Sequence, residues 1–200
     1  MSALDFLRTT GDAVARSPME GQALAAGARF EVRDGWNVAV AFEGESLGAP
    51  AWWADVSHLA KVEINGPHDL ELGQAMLANA TWQCPITRDR ILVLGDRGAE
   101  GVDLTSSLAA LAIGGPQARE LFARFCALDL RERSMPLHAF RPGSVARTPG
   151  YVLREDEDRF LMLFGWALGE YVWTVVADAA GELGGAPVGV DALDRQVARA

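Results

Sequence analysis

Two hundred residues, half of them hydrophobic, suffice for one ordinary domain that buries roughly 70% of its unfolded surface. A charged fraction of 22% and a mean hydropathy of +0.07 exclude intrinsic disorder and a low-complexity fibre. The net charge of −9 argues against nucleic acid or an anionic membrane as the partner, and of the 18 cations only Lys61 is a lysine.

In chain order, residues 1–28 read as a helical, alanine-rich N-terminal segment broken at Ser17-Pro18. Residues 1–10 carry Asp5 and Arg8 and lack the apolar run of ~7–15 residues that a signal peptide needs. Phe30 and Val32, then Val38, Val40 and Phe42, suit a strand pair turned at Gly35. Lys61-Val-Glu-Ile64 alternates with period two, Ala60, Val62 and Ile64 facing one way and Leu59, Lys61 and Glu63 the other. Asp69 to Ala78 is a weak helix pattern interrupted by Gly73, and Arg90 to Leu94 is a short apolar strand. Ala118, Leu121, Phe122, Phe125 and Cys126 form one helical stripe. Tyr151 to Leu153 and Phe160 to Phe164 flank an acidic loop and read as a hairpin. Phe160 to Ala177 is long enough for a membrane span, but Gly165 and Gly169 split it into a strand and an amphipathic helix.

An internal repeat organises the chain. Asp55-Val-Ser-His-Leu-Ala-Lys-Val-Glu-Ile-Asn-Gly-Pro67 matches Asp103-Leu-Thr-Ser-Ser-Leu-Ala-Ala-Leu-Ala-Ile-Gly-Gly-Pro116 with one inserted residue. Each copy reads as an acidic-hydroxyl turn, an alternating strand, and a Gly-Pro that opens a helix, where proline sacrifices no intrahelical bond. From Asp103 the order strand, helix, strand, strand, helix suits a ferredoxin-like split βαβ unit. The expected fold is α+β, two such related halves sharing one core.

These residues also carry a family resemblance. Ser17-Pro18, Gly27-Ala-Arg-Phe30, Gly35-Trp36 and the first repeat copy resemble the N-terminal part of glycine-cleavage T-protein-like folate-binding proteins. Val102-Asp-Leu-Thr-Ser106, Ile113-Gly-Gly-Pro-Gln-Ala-Arg119, Phe125-Cys-Ala-Leu-Asp-Leu130, Gly143-Ser-Val-Ala-Arg-Thr148 and Asp178-Ala-Ala-Gly-Glu-Leu183 resemble the gamma subunit of heterotetrameric sarcosine oxidase, of the same superfamily. The resemblance covers residues 17–185. It implies a T-protein-like domain over 29–185, made of pseudo-repeats 29–100 and 101–185, with 186–200 as a peripheral C-terminal arm. It further implies an accessory subunit of a flavin-dependent sarcosine or N-methyl amine oxidase, without a cofactor of its own; the two isolated cysteines suit a reduced, cytoplasmic chain. Alpha- and beta-like flavin-bearing partners would hold FAD, FMN, NAD and tetrahydrofolate. The competing readings are a stand-alone tetrahydrofolate-dependent aminomethyl or methyl transferase and a non-catalytic folate-binding module. A full aminomethyltransferase carries a further C-terminal barrel, which is not expected within these 200 residues. The Lys-Gly-Cys-Tyr-x-Gly-Gln-Glu motif of related iron–sulfur-repair proteins surrounds neither Cys84 nor Cys126.

No catalytic residue stands out. Asp55, Ser57 and His58 suggest a triad, but neighbours on an extended turn point apart, and the Asp-hydroxyl pairs in both copies suit turn capping. His58 has no counterpart in the second copy. His68 and His138 stand alone, and two isolated cysteines make no metal or disulfide pattern, so a reduced chain without a structural metal is expected. For a transferase, only Asp96 and Asp103 are placed to meet folate nitrogens. Arg131, Arg133, Arg141 and Arg147 lie in a basic stretch and are the candidates for an anionic cofactor tail or an acidic partner. Trp36, Trp52, Trp53 and Trp82 fall outside helical stripes and are the candidate interface residues, Trp52-Trp53 the expected exposed pair.

Overall fold

The computed structural model describes residues 12–197, with helix side chains at the C-terminal end through Asp194. Strand β1 is Ala15–Arg16, helix α1 Glu20–Ala25, β2 Arg29–Arg33 and β3 Trp36–Ala41. The three strands form a small sheet in the order β1-β3-β2, turned at Asp34 and Gly35, both at positive φ. Among residues 12–28 only α1 is helical; the rest of the helical expectation, residues 1–11, lies outside the described residues.

Two larger sheets follow. Strands β4 (Trp52–Asp55), β10 (Leu108–Gly114), β11 (Phe140–Val145), β12 (Thr148–Asp156), β13 (Arg159–Gly165) and β14 (Ala186–Pro187) make one, ordered β11-β12-β13-β10-β4-β14. Strands β5 (Lys61–Asn65), β6 (Met76–Ala78), β7 (Thr81–Thr87), β8 (Arg90–Leu94) and β9 (Val102–Asp103) make the other, ordered β6-β7-β8-β5-β9. Helices α2 (Ala118–Ala123) and α3 (Gly169–Gly181) cover the first sheet, and α4 (Val190–Val197) packs on β3.

The sheets obey one plan. β5 pairs antiparallel with β8 and β9, as β10 pairs with β13 and β4. Val62 lies opposite Asp103 and Leu111 opposite Asp55, so the repeat read from the sequence superposes the two pairings residue for residue. The likeness reaches further than the repeat: both hairpins carry a register shift, at Pro85/Thr87 and at Arg154/Asp156. β13 lies between β10 and β12, as a split βαβ requires, with α2 in the crossover. The first half carries the strands without the helix. Asp69 to Ala78, expected as a helix, is a turn at positive-φ Gly73 followed by β6. The fold is thus α+β and rich in sheet.

The run Phe160 to Phe164 is apolar at every position because β13 is covered on both faces. Phe160, Met162 and Phe164 face the helices, while Leu161 and Leu163 face the second sheet. The hydrophobic stretch to Ala177 is β13 and then α3, and among the described residues no helix is long and apolar enough to cross a membrane.

The C-terminal arm is not peripheral over its described part. β14 adds to β4 in parallel, and Val188, Val190 and Ala192 are buried. Gly189 allows this: its N–H donates to the Glu45 carboxylate, and its Cα lies flat on the β3 backbone.

Candidate functional site

The two sheets exchange strands at one crossing. The chain leaves the first sheet at β4, turns at residues 55–60 and enters the second at β5. It leaves the second at β9, turns at 103–107 and enters the first at β10. Each turn is closed by its aspartate: Asp55 Oδ1 accepts from Ser57 N at 2.9 Å, and Asp103 Oδ1 accepts from Thr105 N at 2.8 Å. Each hydroxyl then reaches the other half. The Ala110 N–H donates to Ser57 Oγ at 3.1 Å, and the Lys61 N–H donates to Thr105 Oγ1 at 3.1 Å. Ala110 and Lys61 are matched positions in the repeat, so the contacts are reciprocal. Capping is therefore the role of these pairs, and Ser57 is no nucleophile beside His58.

The crossing holds a side chain that the sequence reading did not mark. Lys61 is 0% exposed, and its ammonium donates to the carbonyls of Ser57 and Leu59 at 2.9 and 2.8 Å. Burial lowers its pKa from 10.5 to about 8, although Asp55 and Asp103 pull the other way. The same burial raises the pKa of Asp55, against hydrogen bonds from Ser17 and Ser57. The only signal in the sequence was that Lys61 is the chain's single lysine and sits in an apolar strand.

A crevice of about 280 Å³ opens beside the first turn. His58, Leu59, Trp82 and Leu161 line it, with Val190 and Leu193 of α4 closing one side and Glu155 and Asp194 at its polar edge. The half-buried His58 ring makes no hydrogen bond among the described residues, while its carbonyl accepts from Arg97. Desolvation, then the Lys61 and Arg97 charges, lowers the His58 pKa from 6.5 to about 4. A second, polar cavity of about 270 Å³ lies beside the other turn, lined by Arg97, Asp103 and Thr105.

The His58 shift has a testable sign. Because the folded pKa lies below the unfolded one, the unfolded chain takes up a proton first as pH falls from 6.5 to 4. Wild type is expected to lose up to roughly 3 kcal/mol relative to His58→Asn across that window. Urea unfolding of both proteins at a series of pH values checks it, and parallel pH profiles would refute it. Asp55 titrates in both proteins, so its opposite contribution cancels in the difference.

The other expected residues do not converge. Arg131 and Arg133 are exposed and share Asp129, at 2.7 and 4.0 Å. The Arg141 guanidinium donates to the Gly73 carbonyl. Arg147 sits at positive φ in the β11–β12 turn, in a recess with Tyr171 that Arg131 does not share. Asp96 caps its own turn by accepting from the Gly98 N–H. Leu70 N donates to His68 Nδ1, which leaves Nε2 to donate to the Thr87 carbonyl. No cluster of three or more metal-ligating groups occurs among the described residues. Cys84 and Cys126 are free, and burial raises both thiol pKa values.

The candidate interface tryptophans, the pair Trp52-Trp53 expected to be exposed among them, pack into the core of the chain. Trp36, Trp52, Trp53 and Trp82 are each no more than 7% exposed. Trp53 meets Trp173 edge-on at 5.7 Å, Trp36 meets Trp166 at 5.7 Å, and Trp82 meets His138 at 5.0 Å. Trp52 lies on Gly114, where a Cβ would stand 2.2 Å from the ring. Their irregular spacing reflects short strands that bury both faces, where no helical stripe arises.

No family model matches the chain. Its sequence is 26% identical to an aminomethyltransferase of Desulforamulus reducens and 24% identical to one of Moorella thermoacetica, over 90% of this chain and 62% of each relative. The chain thus spans about 62% of the length of the curated relatives it matches. A chain of the heterotetrameric sarcosine oxidase of Corynebacterium sp. U-96, solved with pyrrole 2-carboxylate, superposes with a TM-score of 0.67 at 17% identity. That match covers 84% of this chain and 96% of that one. The glycine cleavage system aminomethyltransferase T of Bartonella henselae superposes with a TM-score of 0.71 at 18% identity, over 90% of this chain and 61% of that one. The fold is the one these two proteins share, in line with the T-protein-like resemblance carried by the repeat residues.

Proposed function

We propose that this chain is an accessory, gamma-like subunit of a multi-subunit flavin-dependent oxidase that demethylates sarcosine or a related N-methyl amine, with an assembly and structural role. The observation that carries the reading is the superposition on a chain of a heterotetrameric sarcosine oxidase, with a TM-score of 0.67 over 84% of this chain. The chemistry at the crossing supports it. Asp55, Ser57, Lys61 and Thr105 each bind at least one backbone group across or within the turns, which suits a scaffold. In this reading the chain is cytoplasmic, and FAD, FMN, NAD and tetrahydrofolate belong to the larger alpha- and beta-like subunits, which perform the redox steps.

A second reading is a tetrahydrofolate-dependent aminomethyl or methyl transferase, or a folate-binding module, favoured by the aminomethyltransferase relatives. Its ligand would enter the crevice at His58. At about 280 Å³ that crevice sits at the small end of the roughly 300–1,000 Å³ usual for ligand sites, enough for a ring system and not for a whole folate. Purification from the native host with mass spectrometry separates the readings. Flavin-bearing chains are expected in fixed stoichiometry, and the isolated chain is expected to be colourless and inactive. A monomer that transfers a one-carbon unit to tetrahydrofolate unaided would overturn the subunit proposal.

A further inference from the structure

We infer that the recess beside the β11–β12 turn binds a small monocarboxylic acid with an apolar body, held by Arg147. The inference does not depend on the accessory-subunit reading, because a scaffold and a transferase would carry this recess alike.

The recess measures about 460 Å³, within the roughly 300–1,000 Å³ usual for ligand sites. Phe125, Tyr171 and Val175 give it apolar wall, and Arg124, Ser144 and Arg147 give it polar groups. No acid is among its lining residues, in a chain of net charge −9. Of the two cations, Arg124 is committed: it pairs with Glu182 and, at 3.9 Å, with Glu120. Arg147 makes no hydrogen bond or ion pair among the described residues. One unpaired guanidinium calls for one negative charge, and a carboxylate meets its planar fork with two parallel bonds. A phosphate dianion would bring a second charge for which the recess holds no free cation. The aromatic and aliphatic wall then takes the apolar body of the acid.

The turn that carries Arg147 gives a second, independent reason. Val145 pairs with Thr148 across a two-residue turn in which Ala146 and Arg147 stand at φ 46° and 62°. Such turns favour asparagine followed by glycine, because a Cβ is strained at positive φ. The matching hairpin of the first half, β6–β7, turns the same way at Asn79 and Ala80. The turn shape therefore belongs to the fold, and the arginine at its second place is particular to this half. The surroundings hold it there. Ala146 N donates to the Phe125 carbonyl at 2.8 Å, and Ala127 N donates to the Ser144 carbonyl at 3.0 Å. The hairpin tip is thus fastened to the segment after α2 that also lines the recess. A strained arginine without a partner inside the chain, kept where glycine would be at ease, marks a functional position.

The test titrates benzoate into the full-length chain by calorimetry. Wild type and Arg88→Ala, which removes an exposed arginine in the β7–β8 turn, are expected to bind it alike. Arg147→Gly is expected to bind at least tenfold more weakly and to melt no lower than wild type, because glycine takes positive φ freely. Arg147→Lys keeps the charge and loses the fork, so it is expected to lie between them. Equal affinity of Arg147→Gly and wild type, or no saturable binding by the wild type, would overturn the site. A lower melting temperature for Arg147→Gly would show that the arginine serves the fold and would overturn its retention for binding. Inorganic phosphate bound as tightly as benzoate would overturn the carboxylate preference. Each of these results leaves the accessory-subunit reading standing. Benzoate binding to the free chain and not to the chain purified with partners from the native host would put a partner's carboxylate in the recess and overturn the free acid.

Discussion

Replacing Lys61 with alanine is expected to lower the free energy of unfolding by roughly 3–5 kcal/mol. The ammonium holds the Ser57 and Leu59 carbonyls, which would otherwise be buried without donors in the turn that carries the chain between sheets. Alanine also leaves a void where one of the large fully buried side chains stood. Lys61→Met is expected to lose less, because it fills most of that volume and removes the penalty of burying a charge. The pH dependence tells the two contributions apart. The folded pKa is about 8 against an ordinary 10.5, so between those values the folded chain has released a proton that the unfolded chain retains. Wild-type stability should therefore rise with pH between about 8 and 10.5 relative to Lys61→Met, and be offset by a constant amount below that window. Urea titrations of the three proteins decide it. A loss below about 1 kcal/mol for Lys61→Ala would show that the crossing does not depend on this side chain.

The second large effect is expected at Gly189. A Cβ there would lie 2.1 Å from the Val40 carbonyl carbon and oxygen, and 2.2 Å from Ala41 N. These are backbone atoms of a paired strand, so they cannot swing aside as a side chain tip would. Gly189→Ala is expected to destabilise the protein by about 3 kcal/mol or more and to detach residues 186–194 from β3 and β4. Loss of that segment removes Val190 and Leu193 from the crevice wall, so the same substitution opens the site around His58. Hydrogen exchange that accelerates over 186–194 while β10 and β13 stay protected would bear this out. Unchanged protection there would show that the arm adapts.

Some of this was legible in the residues and some was not, for reasons that can be named. The repeat at Asp55 and Asp103 could be read because turn capping and strand alternation leave a pattern within a dozen residues. The hairpin at Tyr151 and Phe160 could be read for the same reason. Strand β11 could not, since Pro142 and Gly143 interrupt it; as an edge strand it tolerates both. The helix expected over Asp69 to Ala78 failed because the apolar spacing there serves a loop and an edge strand. Burial of the tryptophans depends on partners far away in the chain, among them Trp173 for Trp53 and Trp166 for Trp36. Those contacts leave no local trace. The docked arm was missed because two residues of parallel pairing and one flat glycine fix it.

The crossing of strands also bears on how the molecule comes apart. Each half completes its sheet with a strand delivered by the other, β4 lying against β10 and β9 against β5. In arrangement this is a segment-exchanged dimer whose two members share one continuous backbone. Severing the chain between them would leave β10 without its neighbour β4 and Lys61 without Thr105. Melting should then be a single cooperative event with no stable half. Two fragments cut near residue 100 should regain structure only when mixed.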